Sequence, residues 1–195
     1  MSRLAGVARK TAETDIQISL ELDGSGSSSI NSGIGFFDHM LVLFSKHGLF
    51  DLKVACDGDL AVDGHHTIED IGIALGQAFT KAIGNKQGIK RYGTAFVPMD
   101  EALAMVSLDI SGRPYLVYDV VTPAPSIGNY DCELTEEFLR ALTIHAGLTL
   151  HVKLLSGKNS HHIVEAIFKA LGRALDDATR MDERIVGVMS TKGIL

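Results

Sequence analysis

Two adjacent histidines followed three residues later by a glutamate occur twice in the chain. They stand at His65-His66-Thr67-Ile68-Glu69 and, 96 positions on, at His161-His162-Ile163-Val164-Glu165. On a helix, residues i and i+4 lie one turn apart on one face. His65 can therefore converge with Glu69, and His161 with Glu165. The second histidine of each pair is rotated by roughly 100° from the first and must serve a different point. Imidazole with carboxylate is a ligand set for first-row divalent metals such as Zn, Mn, Fe or Co. One such motif could equally be a helix N-terminus with surface histidines. Two copies, drawn from only eight histidines, point to metal binding.

Further ligands come from an internal comparison of the sequence. His39 and Glu137 are 98 positions apart, each near the start of an apolar, helix-patterned stretch. Each half then offers a quartet: His39, His65, His66 and Glu69 in the first, Glu137, His161, His162 and Glu165 in the second. Eight ligands suit two metals better than one. Ligands diverging from one helix also suit a metal at a subunit boundary. His47 reads either as a group near a substrate or as a satisfied structural histidine. His145 and His151 read as structural. Arg91 and Arg113 lie on turns, where a bidentate phosphate contact is feasible. The tail Ser190-Thr191-Lys192-Gly193 offers hydroxyls, amides and an ammonium, which suits a phosphate or an ordinary solvated terminus. No P-loop and no glycine-rich dinucleotide fingerprint is present.

The elements that must position these residues repeat as well. Ile16–Leu22 alternates apolar and polar residues and predicts a strand, Asp23–Gly26 a turn, and 27–31 a returning strand. Residues 36–44 have helical spacing, 49–56 a strand pattern, 58–64 a loop, and the apolar stripe Ile68, Ile71, Leu75 and Phe79 a helix that ends at Gly84. The second half replays the order: strands over 102–110 and 115–121, a helix over 134–146, a strand over 148–155, a loop, and a helix over 163–178 with Ser160 as its expected N-cap. Tyr92–Asp100 reads as an additional edge hairpin arm. The expected fold is α+β: two strand-strand-helix-strand-helix halves, residues 1–92 and 93–195, forming one compact duplicated domain with helices between two sheets.

Composition supports this reading and excludes others. Hydrophobic residues make up 46% of the 195-residue chain and charged residues 22%, enough for a real core. The net charge of −6 leaves no basic footprint for nucleic acid. No apolar run reaches the ~18 residues a membrane helix needs. The basic residues Arg3, Arg9 and Lys10 precede no apolar segment, so no signal peptide is expected. Cys56 and Cys132 are too few for a disulfide framework, which suits a reducing cytoplasm.

The motifs together closely resemble the imidazoleglycerol-phosphate dehydratase family. The likeness is carried, in order along the chain, by Arg9–Thr14, Phe36-Phe37-Asp38-His39-Met40, Asp63–Asp70, Ser111-Gly112-Arg113-Pro114, Gly157–His162 and Ser190–Gly193. The resemblance implies a lyase that dehydrates D-erythro-imidazoleglycerol phosphate to imidazole acetol phosphate in histidine biosynthesis. It implies two Mn²⁺ per active site and a duplicated fold like the second domain of ribosomal protein S5. It also implies a homo-oligomer, an octahedral 24-mer built from trimers with active sites between subunits. By the same resemblance Glu13 is the acid/base group, His47 assists near the glycerol hydroxyls, and Arg91, Arg113, Lys169, Ser190 and Lys192 hold the phosphate. Two positions depart from the family pattern. Glu137 stands where a histidine is found in some members, and Leu43 where a glutamine is common.

That chemistry would use both metals. The carbon that loses its proton adjoins no carbonyl, so the imidazole ring is the electron reservoir. Cations on both ring nitrogens would hold it as imidazolate at neutral pH, able to expel the adjacent hydroxyl. Two rival readings remain at this point: a dinuclear hydrolase with a hydroxide bridging metals ~3.5–4 Å apart, and a metal-binding shell without catalysis, which would need neither Glu13 nor the phosphate set.

Overall fold

The computed structural model describes residues 3–195. The chain runs β1 (Leu4–Lys10), β2 (Thr14–Glu21), β3 (Ser28–Asn31), α1 (Gly35–Gly48), β4 (Asp51–Gly58) and α2 (His65–Ile83). The second set is β5 (Tyr92–Met99), β6 (Ala102–Asp109), β7 (Tyr115–Asp119), the short pair β8 (Ser126–Ile127) and β9 (Tyr130–Asp131), then α3 (Leu134–Ala146), β10 (Thr149–Ser156) and α4 (Ser160–Thr179). The two large sheets have the orders β1-β2-β4-β3 and β5-β6-β10-β7. In each, the first three neighbours pair antiparallel and the last strand joins parallel.

Each four-stranded sheet therefore holds one strand more than the three per half of the repeat read from the sequence, and the short pair β8 and β9 was not expected at all. β1 went unread because its sequence, Leu-Ala-Gly-Val-Ala-Arg-Lys, alternates small residues and turns a charged Arg9 toward the core side. Tyr92–Asp100 is not an addition to the repeat: β5 is the counterpart of β1. Registers fix the equivalence, since Arg9 pairs with Ile16 and Val97 with Ala104, an offset of 88 in both strands.

Each sheet buries one face beneath its own helices, and the helical layers meet between the sheets. α2 packs on β1 and β2, and α4 on β5 and β6. Across the middle, α1 lies on α4 and α2 on α3. The helices approach closely enough to need glycine. A Cβ on Gly172 would stand 2.5 Å from the Phe44 carbonyl oxygen, and one on Gly76 2.9 Å from that of Leu142. The core is continuous through this layer, with Phe37, Phe138 and Phe168 packed ring on ring and almost fully buried. Among the described residues no helix is long and apolar enough to cross a membrane.

Candidate metal centre

The first turns of α2 and α4 present the paired histidines. Loop residues hold these turns from the side. At α4 the N-cap is Asn159, whose side-chain oxygen accepts the backbone N–H groups of His161 and His162. Ser160, the expected cap, is already helical and uses its hydroxyl on Ala124 instead. At α2, Asp63 Oδ1 accepts the His65 N–H at 2.8 Å.

His39, His161 and Glu165 converge. Their ligand atoms all lie within 4.8 Å of one another. Glu165 Oε2 stands 3.2 Å from His161 Nε2 and 3.9 Å from His39 Nε2. Its other oxygen accepts from Lys169 Nζ at 2.6 Å. Burial pushes the Glu165 carboxyl up. The bond and charge of Lys169, with the charges of His39 and His161, outweigh that and hold its pKa below the ordinary value. Glu165 is thus an ionised carboxylate with one oxygen fixed and one turned to two imidazoles, a donor set that fits a first-row divalent cation.

This cluster does not follow the grouping by halves. His39 comes from α1 and joins the second motif because α1 packs on α4. The first motif stands apart: His65 Nε2 lies 3.9 Å from Glu69 Oε2, as i,i+4 spacing requires. Glu137, on α3 beside α2, contacts Arg140 at 3.5 Å.

The second histidines turn away from the first, with rings at 87° for His65 and His66 and 83° for His161 and His162. Each has a carboxylate on Nδ1, Asp59 at 2.9 Å for His66 and Glu101 at 2.7 Å for His162. Such a partner accepts a hydrogen bond from Nδ1–H, which keeps the proton on Nδ1 and leaves the Nε2 lone pair available to a ligand. The same bonds raise both imidazole pKa values. Sequence reasoning missed Asp59, which lies in a loop with no periodicity to mark it.

Glu13 and Glu101 hold equivalent places in the two halves and behave differently. Glu101 accepts from His162 Nδ1 and from the backbone N–H groups of Lys158 and Asn159, and these bonds bring its carboxyl down to about 2. Glu13 Oε1 stands 3.7 Å from His66 Nε2, and among the described residues no N–H donates to its carboxylate.

The other expected site residues divide. His47 lies late on α1 facing α4, in a groove of about 570 Å³ that Lys46, Arg173 and Arg180 also line. Burial, then the charges of Lys169 and Arg173, lower its pKa, so it is neutral at neutral pH. Lys169 lies against Glu165 and 3.5 Å from Met99 Sδ. Arg91 gives Asp109 two bonds, 2.6 and 2.9 Å, and the Met189 carbonyl a third of 2.7 Å. It thereby fixes the segment leading to Ser190, and both line a hollow of about 810 Å³. Arg113 is exposed on the β6–β7 turn, and Lys192 is exposed in the tail. Leu43 packs at the edge of the core.

The family model for imidazoleglycerol-phosphate dehydratase matches residues 32–175. The chain belongs to the imidazoleglycerol-phosphate dehydratase family. It is 63% identical over 195 residues to the imidazoleglycerol-phosphate dehydratase of Acetivibrio thermocellus, with all of both chains covered. To that of Caldanaerobacter subterraneus subsp. tengcongensis it is 64% identical over 193 residues, 99% of this chain and all of the relative. Solved structures of the family superpose closely. The Staphylococcus aureus enzyme gives a TM-score of 0.84 at 44% identity, covering 92% of this chain and 99% of the other. The Pyrococcus furiosus protein, in complex with (S)-C348, gives 0.85 at 40% identity, covering 97% and 100%. Family membership favours the lyase among the three readings of the motifs.

Proposed function

We propose that the chain dehydrates D-erythro-imidazoleglycerol phosphate to imidazole acetol phosphate, a step of histidine biosynthesis, in the cytoplasm and with two Mn²⁺ per active site. The observation that carries this is the convergence of His39, His161 and Glu165 beside a lysine that keeps the carboxylate ionised. His65, Glu69 and Glu137 are the corresponding set of the first motif, and His66 and His162 offer Nε2 outward. A divalent cation bound by these groups supplies the charge that stabilises the deprotonated imidazole of the substrate.

The chain's own residues do the rest. Glu13 accepts the proton from the substrate carbon and delivers one to the departing hydroxyl, so water leaves and an enol remains to ketonise. Its carboxylate suits this because, among the described residues, no N–H occupies it, unlike that of Glu101. His47, neutral at neutral pH, offers both a donor and an acceptor to the glycerol hydroxyls. Arg91, Arg113, Lys169, Ser190 and Lys192 take the phosphate. The outward Nε2 atoms support metals shared between copies, within an octahedral 24-mer of trimers. Bound metal would then contribute to assembly.

The test is incubation of the Mn²⁺-loaded protein with imidazoleglycerol phosphate while the ketone product is followed. No ketone would overturn the reaction, and full turnover by metal-free protein would overturn the metal requirement. Sedimentation before and after chelation reads the assembly, which should shrink on metal removal and rebuild with Mn²⁺.

A further inference from the structure

Beneath the Glu13 turn lies a polar triad. Arg9 Nη1 and Thr14 Oγ1 both donate to Asp70 Oδ2, each at 2.6 Å. Asp70 follows Glu69 on α2 and is 6% exposed, and Thr14 is 3% exposed. Arg9 stands on the inward side of β1, in line with buried Ala5 and Val7.

The second half contains the same three positions with other side chains. The strand registers place Val97 at the counterpart of Arg9 and Ala102 at that of Thr14. The offset that relates His65 to His161 places Ala166 at that of Asp70. All three are apolar and buried, at 8, 1 and 0% exposure. One fold therefore fills this contact once with hydrocarbon and once with an ion pair. A largely buried ion pair is commonly no more stable than well-packed apolar residues in its place. Stability alone does not account for Arg9, Thr14 and Asp70.

What the triad holds is the turn over Thr11–Thr14. The Thr14 hydroxyl gives its one proton to Asp70, so at 3.3 Å it accepts from the Thr11 hydroxyl. Thr11 Oγ1 in turn accepts the N–H groups of Glu13 and Thr14 at 3.1 and 3.0 Å. This chain of bonds runs from α2 to the backbone of Glu13. In the second half Glu101 is held by bonds to its own carboxylate and needs no such support. Glu13 must keep its carboxylate free to take a proton, so its position has to come from below.

We propose that Asp70, with Arg9 and Thr14, is a positioning residue that locks the Glu13 turn to the helix bearing His65, His66 and Glu69. The proposal rests on the reading of Glu13 as the acid/base group. Its test compares three variants with the Mn²⁺-loaded wild type: Arg9→Val/Thr14→Ala/Asp70→Ala, which transplants the second half's own side chains, Glu13→Gln, and the two combined.

In the triple variant kcat should fall about tenfold or more, the scale of a misplaced catalytic group. KM, metal stoichiometry and melting temperature should hold, and hydrogen exchange at the Glu13 and Thr14 amides should accelerate. The combined variant should be no slower than Glu13→Gln alone, because both changes act on one group. A triple variant with wild-type kcat beside an impaired Glu13→Gln would overturn the proposal and leave the role of Glu13 intact. Glu13→Gln at the wild-type rate would remove that role and the proposal with it. Additive losses in the combined variant would place the triad's effect elsewhere and also overturn it. If the triple variant loses its melting transition, Asp70→Asn, of equal volume, takes its place in the same comparison.

Discussion

His39 and Glu165 lie on helices from opposite halves of the chain, yet His39 Nε2 stands 3.9 Å from Glu165 Oε2. With His161 they are the group in which helix packing, rather than sequence spacing, gathers the ligands. Glu165→Gln should therefore abolish tight Mn²⁺ binding. Loss of a mere hydrogen-bond partner of a ligand costs about 10–100-fold, so loss of the charged ligand should cost about 100-fold or more. Calorimetric titration of metal-free protein measures this. Unchanged affinity would remove Glu165 from the site.

The two arginines assigned to phosphate should separate. Arg91 is tied to Asp109 and the tail carbonyl, so Arg91→Ala should destabilise the fold by about 3 kcal/mol. For a chain of this size that lowers the melting temperature by about 6–12 °C. Arg113→Ala should leave the melting temperature nearly unchanged and weaken substrate binding by about 1.5–3 kcal/mol. Metal content should be unaffected. Equal loss of metal and substrate binding would show that Arg113 is misassigned.

The Glu101–His162 pair predicts a pH window for the metal-free protein. A carboxyl depressed in the fold stabilises above its unfolded value, about 4.3, and loses that stabilisation as pH falls toward its folded value of about 2. A histidine raised in the fold stabilises below its unfolded value, about 6.5, and loses that as pH rises through the raised value. Both contributions are present between about pH 4.3 and 6.5. The melting-temperature gap between wild type and Glu101→Gln should be widest there. It should narrow as pH rises through the raised histidine value, where His162 loses its charge and keeps only a neutral Nδ1–H bond to the carboxylate. A gap that does not change with pH would show that the pair is not coupled to protonation.

The two half-repeats should not fold separately. We propose that residues 1–92 and 93–195 form one cooperative unit, because the helices of each half are covered by those of the other. Residues 1–92 expressed alone would expose the α1 and α2 faces that α4 and α3 bury. They should show no cooperative melting transition by circular dichroism. A sharp transition in that fragment would overturn the single-unit reading.

The local pairings were legible in the sequence because one helix turn is enough to specify them. Four residues of spacing put His65 beside Glu69 and His161 beside Glu165, whatever surrounds the helix. The divergence of His66 and His162 followed from the same geometry, and the apolar patterns marked β2, β4, β6, β7 and β10 but not the short pair β8 and β9. β1 escaped because Arg9 faces inward on a strand of small residues, and what makes that tolerable is Asp70, distant in sequence. Lys169 and Arg91 showed only that they are cations; packing set one on Glu165 and the other on Asp109. Asp59 met His66 through a loop whose path no periodicity records. Whether His39 would serve the first motif or the second depended on α1 lying across α4, as close as Gly172 against the Phe44 carbonyl allows. Spacing along one element is a property of the chain itself. Which elements meet is decided when two sheets bury their helical faces against each other.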